Sequence, residues 1–444
     1  MSTSVRPFAA FPPRHRSRSS VATISLLAAS ALVLSGCSSE ASGGGSDSGG
    51  PVELTMMNHS RGQEAALQQL VATYAEETGV TVTLDTPGPA DYVSKLQSKA
   101  QSGSMPDVFT AVGPADMAPY YKAGWALDLS SELESGWKDE FTPAVVEISA
   151  WEDGNALDVP AGTYAAYWEI ATYGVFVNPD TSGIDPEAPP TTIGEMTDLL
   201  SESAGGGNGL FSVAGSLAPT FVQSYASNWL SDEEINDTLG GDASWESDGW
   251  RNTFEIFTDL RDAGVIANNA LPTGSDDNTA VEKSFFNVKD TAAIFDGSWA
   301  TGVATATAPD FTSYRTMSLP AADDGDLAPR APAIAGRGAA VNAKGNHVEE
   351  SLAFVRWLTE KDQQKVLMDT AGLIPTNVEL LESGEAPDQV AGFVDTIGDV
   401  QVIQNQFTAD VVDAINRGSQ SLVLGEKTVD EVLEEVQSAQ DRSA

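Results

Sequence analysis

Between Pro51 and Val112 the spacing of apolar residues switches back and forth between the strand period and the helix period, and no other feature restricts the fold as much. In "VELTMM", Val52, Leu54 and Met56 alternate with their neighbours, which predicts a strand. "SRGQEAALQQLVATYAEETG" follows, with Leu67, Leu70, Val71 and Tyr74 at helical spacing and Gly79 as a stop. Ser60 and Gln63 have the S-x-x-Q spacing of a capping box at its start. "VTVTL" alternates again, "DYVSKLQSKAQSG" predicts a second helix, and "MPDVFTAV" a further strand. Strands alternating with helices imply an α/β fold with mainly parallel sheets flanked by helices, and ligands at the strands' C-terminal edge.

The later chain continues the pattern between clear breaks. "DVPAGTYAAYWEIATYGVFVNPD" starts with a Pro-Ala-Gly break and ends in an aromatic-rich strand, and "SESAGGGNG" is a surface loop. "SWESDGWRNTFEIFTDLRDAG" is a helix closed by Gly264, and "TAAIFDGSWATGVA" a buried strand that stops at Asp296-Gly297. "EESLAFVRWLTEKDQQKVLMDTAGLIPTN" is helical until Gly372. "TVDEVLEEVQSAQ" is a last helix, with Thr428 and Glu431 as a capping box and Val429, Val432, Leu433 and Val436 on one face.

The N-terminal region is of another kind. Arg14, Arg16 and Arg18 precede the uncharged run from Val21 to Leu34, too short and wrongly flanked for an ordinary membrane span. Leu34-Ser35-Gly36-Cys37 resembles a bacterial lipobox, which implies a signal peptide over 1–36 and a lipid on Cys37, the only cysteine in the chain. An intrachain disulfide is therefore excluded. Ser38 to Gly50 holds five glycines and five serines and is expected to act as a flexible tether, so 37–50 links lipid to body. Without 1–36 and its four arginines the chain carries 64 acids against 19 bases, a net charge of −45. Such a surface excludes nucleic acid, whose binding needs basic groups to displace counterions, and works against steering of anionic ligands.

The order of several segments carries a resemblance. "SGSMPDVF", "YYKAGWALDLS", "PAGTYAAYWEIATYGVFVNPD", "FFNVKDTAAIFDGSWATG", "GRGAAVNAKGNHVEESLAFVRWL" and "LVLGEKTVDEVLEEVQ" together resemble family 1 extracellular solute-binding proteins. These are the sugar-binding components of ABC importers, the maltodextrin-binding type among them. The resemblance spans 52 to about 440 and implies a two-lobed, periplasmic-binding-protein-like fold joined by hinge crossovers near Val159–Gly162, Met317–Pro320 and Gly372–Asn377. One lobe would comprise 52–160 plus 318–372 and the other 161–317 plus 373–444. It further implies capture of a carbohydrate, a short oligosaccharide or a monosaccharide, by hinge closure, and delivery to ABC permease subunits in the membrane. The chain is expected to act as a monomer on the outer face of the cell membrane, held by the lipid on Cys37, without cofactor or metal.

Sugar recognition asks for aromatic faces to stack on the ring and for groups that give and take hydrogen bonds at the hydroxyls. The resemblance places a stacking tryptophan at Trp299, just past the strand that ends at Asp296-Gly297; a core role on the following helix is the alternative. Asp296 either accepts a hydroxyl or caps that helix. In the turn "NHSRGQE", His59, Arg61 and Glu64 are candidates, against a solvated surface pair for the last two; capping accounts for Ser60 and Gln63. Asp116 matches a polar contact of some relatives. One of Tyr164 and Trp168 is expected to line the cleft and the other to pack in the core. Arg337 sits in a Gly-flanked bend and reaches either ligand or water. Asp107 is read as structural, and Trp125 and Trp357 as core. The chain departs from maltodextrin binders in extra length between Pro160 and Asn178 and in having Val411 and Val412 where those offer another ring, which favours a short ligand.

An enzyme is poorly supplied. There is no G-x-S-x-G elbow, phosphate loop or Cys/His metal spacing, and beyond the signal only His59 and His347 remain. A glycoside hydrolase needs only two carboxylates, which composition alone does not exclude. The whole-chain resemblance speaks for a binder rather than an enzyme. Binders of oligopeptides, polyamines or metal chelates share the fold, and a cationic ligand would suit the negative field.

Overall fold

The computed structural model describes residues 51–59, 62–155, 157–203, 210–274, 277–394, 396–397, 400–401 and 407–443. Cys37, the tether, Ser60 and Arg61 lie outside these residues, as does most of "SESAGGGNG". Among the described residues no helix is long and apolar enough to cross a membrane.

Two sheets organise the body. In the first, strands Glu53–Met57, Thr81–Asp85 and Val108–Thr110 lie parallel, as their helical connections Glu64–Thr78 and Pro89–Ser102 require. Both helices stop at the glycines that close the pattern, Gly79 at φ 76° and Gly103 at φ 69°, where a left-handed residue ends the helix. Strand Gly338–Val341 joins antiparallel to Val108–Thr110, and Ala166–Tyr167 pairs in turn with it. Asp107 ties this sheet as a structural residue. Its Oδ2 accepts the Thr55 backbone N–H at 2.9 Å and the Thr55 hydroxyl at 2.8 Å.

The second sheet runs Arg315–Met317, Tyr173–Val177, Ala293–Gly297, Phe211–Val213. Its two central strands are buried along their whole length, as strands covered on both faces are. This sheet is mixed rather than mainly parallel. Ala293–Gly297 is parallel to Phe211–Val213, whereas Tyr173–Val177 is antiparallel to both its neighbours. That strand arrives directly from the first sheet, with no helix to return the chain to the common direction.

Three extended passages run side by side between the sheets. Residues 168–172 lead out, 332–337 lead back, and 373–377 lead out again. The return falls later than the expected Met317–Pro320, because 318–331 stay with the second sheet: Ala321 exchanges backbone bonds with Thr191 and Ile193, and Arg330 pairs with Asp232. Ile170–Ala171 pairs antiparallel with Ile334–Ala335, and the Ile170 N–H donates to the Ile374 carbonyl at 3.1 Å. The first passage therefore falls later than the expected Val159–Gly162. Gly162–Thr163 pairs with Ala150–Trp151, and Ala166–Tyr167 supplies the exposed edge of Gly338–Val341 with a partner. Residues 161–167 thus stay with the first sheet.

Each sheet has its own apolar core, with Trp137 and Trp168 in the first and Trp245 and Trp250 in the second. The helices Ala409–Leu424 and Val429–Ser443 pack on the second core through Ile415, Leu422, Val432 and Val436. The capping box of the last helix is formed: the Glu431 N–H donates to the Thr428 hydroxyl at 3.3 Å and the Thr428 N–H to Glu431 Oε2 at 2.8 Å.

Candidate functional site

The C-terminal edges of the two sheets meet at the passages. On the first sheet this edge consists of Asn58 and His59 after the opening strand, Thr110, and Arg337 just before Gly338. On the second it consists of Gly297, Ser298 and Trp299 after the buried strand. Gly297 pairs with Tyr173, and the Ser298 N–H donates to the Thr172 carbonyl at 2.9 Å.

A buried polar network stands on the first side. The side chain of Gln63 does not cap its helix. Instead its Nε2 donates to Glu169 Oε2 at 2.8 Å, and its Oε1 accepts the Trp168 indole N–H at 3.1 Å. Trp168 and Glu169 are 0% and 1% exposed. The backbone of Arg337 accepts both the Trp168 and Glu169 N–H groups, and the Gly336 N–H donates back to the Glu169 carbonyl at 2.9 Å. A Cβ on Gly336 would stand 2.8 Å from Glu169 Cγ, so only glycine allows this approach. Burial pushes the Glu169 carboxyl up, against the Arg337 charge and the bonds from Gln63 and the Arg337 backbone.

His59 sits at the same edge. Its backbone N–H donates to the Thr110 hydroxyl at 3.1 Å, its Nδ1 is 3.2 Å from the same oxygen, and its ring lies 5.1 Å from that of Tyr92. Burial first, then the neighbouring Arg337 charge, push its pKa down to about 3. The ring is therefore neutral at physiological pH and offers one donor and one acceptor. Glu64 opens the helix beside it and accepts the Gly62 N–H at 2.8 Å.

On the second side Trp299 is partly exposed and meets Tyr173 edge-on, with ring centres 5.3 Å apart at 90°. The indole lies over Gly297, where any Cβ would collide with it. Asp296 is fully buried; its Oδ1 accepts the Gly297 N–H at 2.7 Å and the Asn278 amide at 3.4 Å. It does not cap the helix Ala300–Thr307, whose N-cap is Trp299. Burial above all, and Asp296 in part, push the Tyr173 hydroxyl up to about 12, while Arg337 opposes the shift. Arg337 charge thus reaches His59, Glu169 and Tyr173 at once.

Glu169 Oε1, Arg337 Nε and Asn278 Oδ1 are buried polar atoms without a hydrogen-bond partner among the described residues. Orphaned buried groups are rare in folded proteins, and these three accompany one half-covered indole. The arrangement offers an aromatic face together with donors and acceptors. No cluster of His, Cys, Asp or Glu among the described residues is arranged to hold a metal.

Of the residues singled out from sequence, the fold brings His59, Glu64, Asp296, Trp299 and Arg337 to this junction, and Trp168 behind it. Two are elsewhere. Tyr164 packs in a separate apolar cluster of the first sheet with Tyr92 and Phe109, stacked on Tyr121 at 4.9 Å, and its hydroxyl donates to the Pro160 carbonyl. Asp116 is exposed and lines a surface groove of about 260 Å³ with Gln97, Gln101 and Tyr120. Trp125 and Trp357 are half-buried rather than core: Trp125 lies beneath Lys344 and Trp357 donates to Glu77 at 3.0 Å. Gln63, Glu169 and Tyr173 were not legible as site residues. The one signal was Glu169, a carboxylate inside the otherwise apolar stretch "AAYWEIA".

Residues 69–393 match a family described as bacterial extracellular solute-binding protein. A maltooligosaccharide ABC transporter solute-binding lipoprotein of Streptococcus pneumoniae R6 is 25% identical over 391 residues, covering 81% of each chain. The GacH receptor of Streptomyces glaucescens, solved unliganded and with acarbose, superposes with a TM-score of 0.68 at 18% identity, over 88% of this chain and 97% of that one. The maltose/maltodextrin-binding domain MalE of Bdellovibrio bacteriovorus, bound to maltotriose, gives 0.65 at 17% identity, over 88% and 99%. These two likenesses speak for the two-lobed, periplasmic-binding-protein-like fold.

Proposed function

The chain belongs to the bacterial extracellular solute-binding proteins, and on that premise we propose that it captures a carbohydrate between two lobes and hands it to an ABC permease. The lobes are the two sheets with their helices, and the hinge is the set of passages 168–172, 332–337 and 373–377. The observation that carries the reading is the partly exposed indole of Trp299, which stands at the meeting edges of both sheets beside buried donors and acceptors. A sugar ring stacks on such a face while its hydroxyls meet the polar groups. Arg337, His59 and Glu64 are the polar contacts assigned to the ligand, with Arg61 beside them in sequence, while the fully buried Asp296 holds Gly297 behind Trp299.

Ligand touches both lobes only when they close, so it draws the population to the closed form by its differential affinity. Neutral His59 leaves Arg337 as the cation facing the ligand among the described residues. The body is carried by a lipid on Cys37 at the outer face of the cell membrane, as the lipoprotein names of the pneumococcal relatives support. It acts as a monomer and releases its ligand chemically unchanged.

A thermal-shift screen against sugars, peptides and polyamines tests the ligand class, since a solute bound only by the folded form raises the melting temperature. Trp299→Ala is expected to weaken binding of the sugar found by more than tenfold, about 1.4 kcal/mol, with the fold intact. Unchanged affinity removes Trp299 from the site; a hit among peptides or polyamines alone, or slow conversion of the sugar, overturns the reading.

A further inference from the structure

We infer that Gly62 and Gly302 are specificity-determining residues: they let the two lobes meet backbone to backbone one turn beyond Trp299, which walls one end of the cleft and confines the ligand to one or two sugar rings. This rests on the carbohydrate reading above. Gly62 lies in the turn that follows the first sheet's opening strand, and Gly302 in the helix Ala300–Thr307 that follows the second sheet's buried strand. The Gly302 N–H donates to the Trp299 carbonyl at 3.0 Å, so the wall is rigidly joined to the stacking residue.

The contact leaves no room for a side chain at Gly62 and little at Gly302. A Cβ on Gly62 would stand 2.7 Å from the Gly302 carbonyl carbon and 3.1 Å from Val303 N. One on Gly302 would stand 3.0 Å from the Ala371 carbonyl oxygen, at the end of a helix that packs on the first lobe. Next to it, a Cβ on Gly372 would fall on Thr301 Cγ2. Gly372 ends a helix at φ 63° and Gly62 has φ 85°, so each has a backbone reason to be glycine as well. Gly302 has none. It sits inside a helix, where glycine is less favourable than alanine by about 1 kcal/mol, and only the closeness of the opposite lobe accounts for it.

The aromatic residues agree with a short ligand. Long oligosaccharides ask for several stacking faces in a row. Trp168 is sealed in the first core with its N–H on Gln63, and Tyr164 is stacked on Tyr121. Trp299, braced edge-on by Tyr173, is the stacking face at the junction among the described residues.

Calorimetric affinities for maltose- and xylose-based saccharides of one to seven units test this on the wild type, Gly62→Ala, Gly302→Val and Gly79→Ala. Gly79 also has a positive φ, 76°, but nothing within 4 Å of its Cβ position, so it reproduces the backbone strain without the lobe contact. In the wild type, affinity is expected to level off by the disaccharide and stay within threefold beyond it. Gly62→Ala and Gly302→Val are expected to lose tenfold or more, and Gly79→Ala less than twofold. Should Gly62→Ala fail to fold, Gly302→Val, which improves helix propensity, decides. A tenfold rise from disaccharide to heptasaccharide, or wild-type affinity in Gly302→Val, overturns the inference and leaves the carbohydrate reading standing. Binding of no saccharide while a peptide or polyamine raises the melting temperature overturns both.

Discussion

Replacing Gln63 by leucine is expected to lower stability by about 3 kcal/mol near neutral pH, and by less in acid. The magnitude follows from the two bonds lost. The Trp168 indole N–H, fully buried, is left without its acceptor at 3.1 Å, which costs about 1–3 kcal/mol. The Glu169 carboxylate loses its 2.8 Å bond from Gln63, a charged hydrogen bond of about 1.5–3 kcal/mol. Leucine fills the space and returns about 1 kcal/mol through apolar burial. The pH dependence has a definite sign. Burial raises the Glu169 pKa in the folded protein, so this carboxyl stabilises the fold at low pH and that contribution is lost as pH rises through the raised value. Gln63 favours the ionised form, so removing it raises the folded value further and concentrates the penalty above it. Urea unfolding midpoints of both proteins at about pH 7.5 and about pH 5 read this directly. Adding Trp168→Phe removes the stranded N–H and is expected to recover about 1–2 kcal/mol in a double-mutant cycle. A loss below about 1 kcal/mol, or one equal at both pH values, would refute the network.

Two further outcomes can be checked separately. His59, held down to about 3 by burial and by Arg337, should show no NMR titration between about pH 5 and 8, and Arg337→Gln should move its midpoint upward. Because the unfolded chain protonates this histidine first, its contribution to stability is full above the ordinary histidine value and is lost as pH falls toward 3; a titration step near pH 6.5 contradicts the burial. Asp107→Ala removes both bonds from Thr55 and is expected to cost about 1–2 kcal/mol in urea melts with ligand affinity unchanged; a weakened ligand would place Asp107 in the site instead.

What could be read from sequence is what neighbouring residues decide together. The alternating strands and helices of 52–112, the stop at Gly79 and the cap at Thr428–Glu431 depend on residues within a turn or two of each other. A local pattern likewise placed Trp299 at a strand end, since Asp296-Gly297 breaks the buried strand there. Gln63 shows the limit. Its spacing from Ser60 fits a capping box, yet its amide serves Glu169 and Trp168, more than a hundred residues away. A side chain chooses between a local cap and a distant partner only once the distant partner has been folded into reach. The first passage was misplaced for a related reason: Pro160-Ala161-Gly162 marks a break, but whether Ala166–Tyr167 stays with the first sheet depends on the open edge of Gly338–Val341. The glycine of Gly302 carries no mark in its own helix, and its meaning exists only where the Ala371 carbonyl of the first lobe comes to rest against it. Local period and punctuation are properties of the chain; burial, edge pairing and close approach between lobes are properties of the folded body.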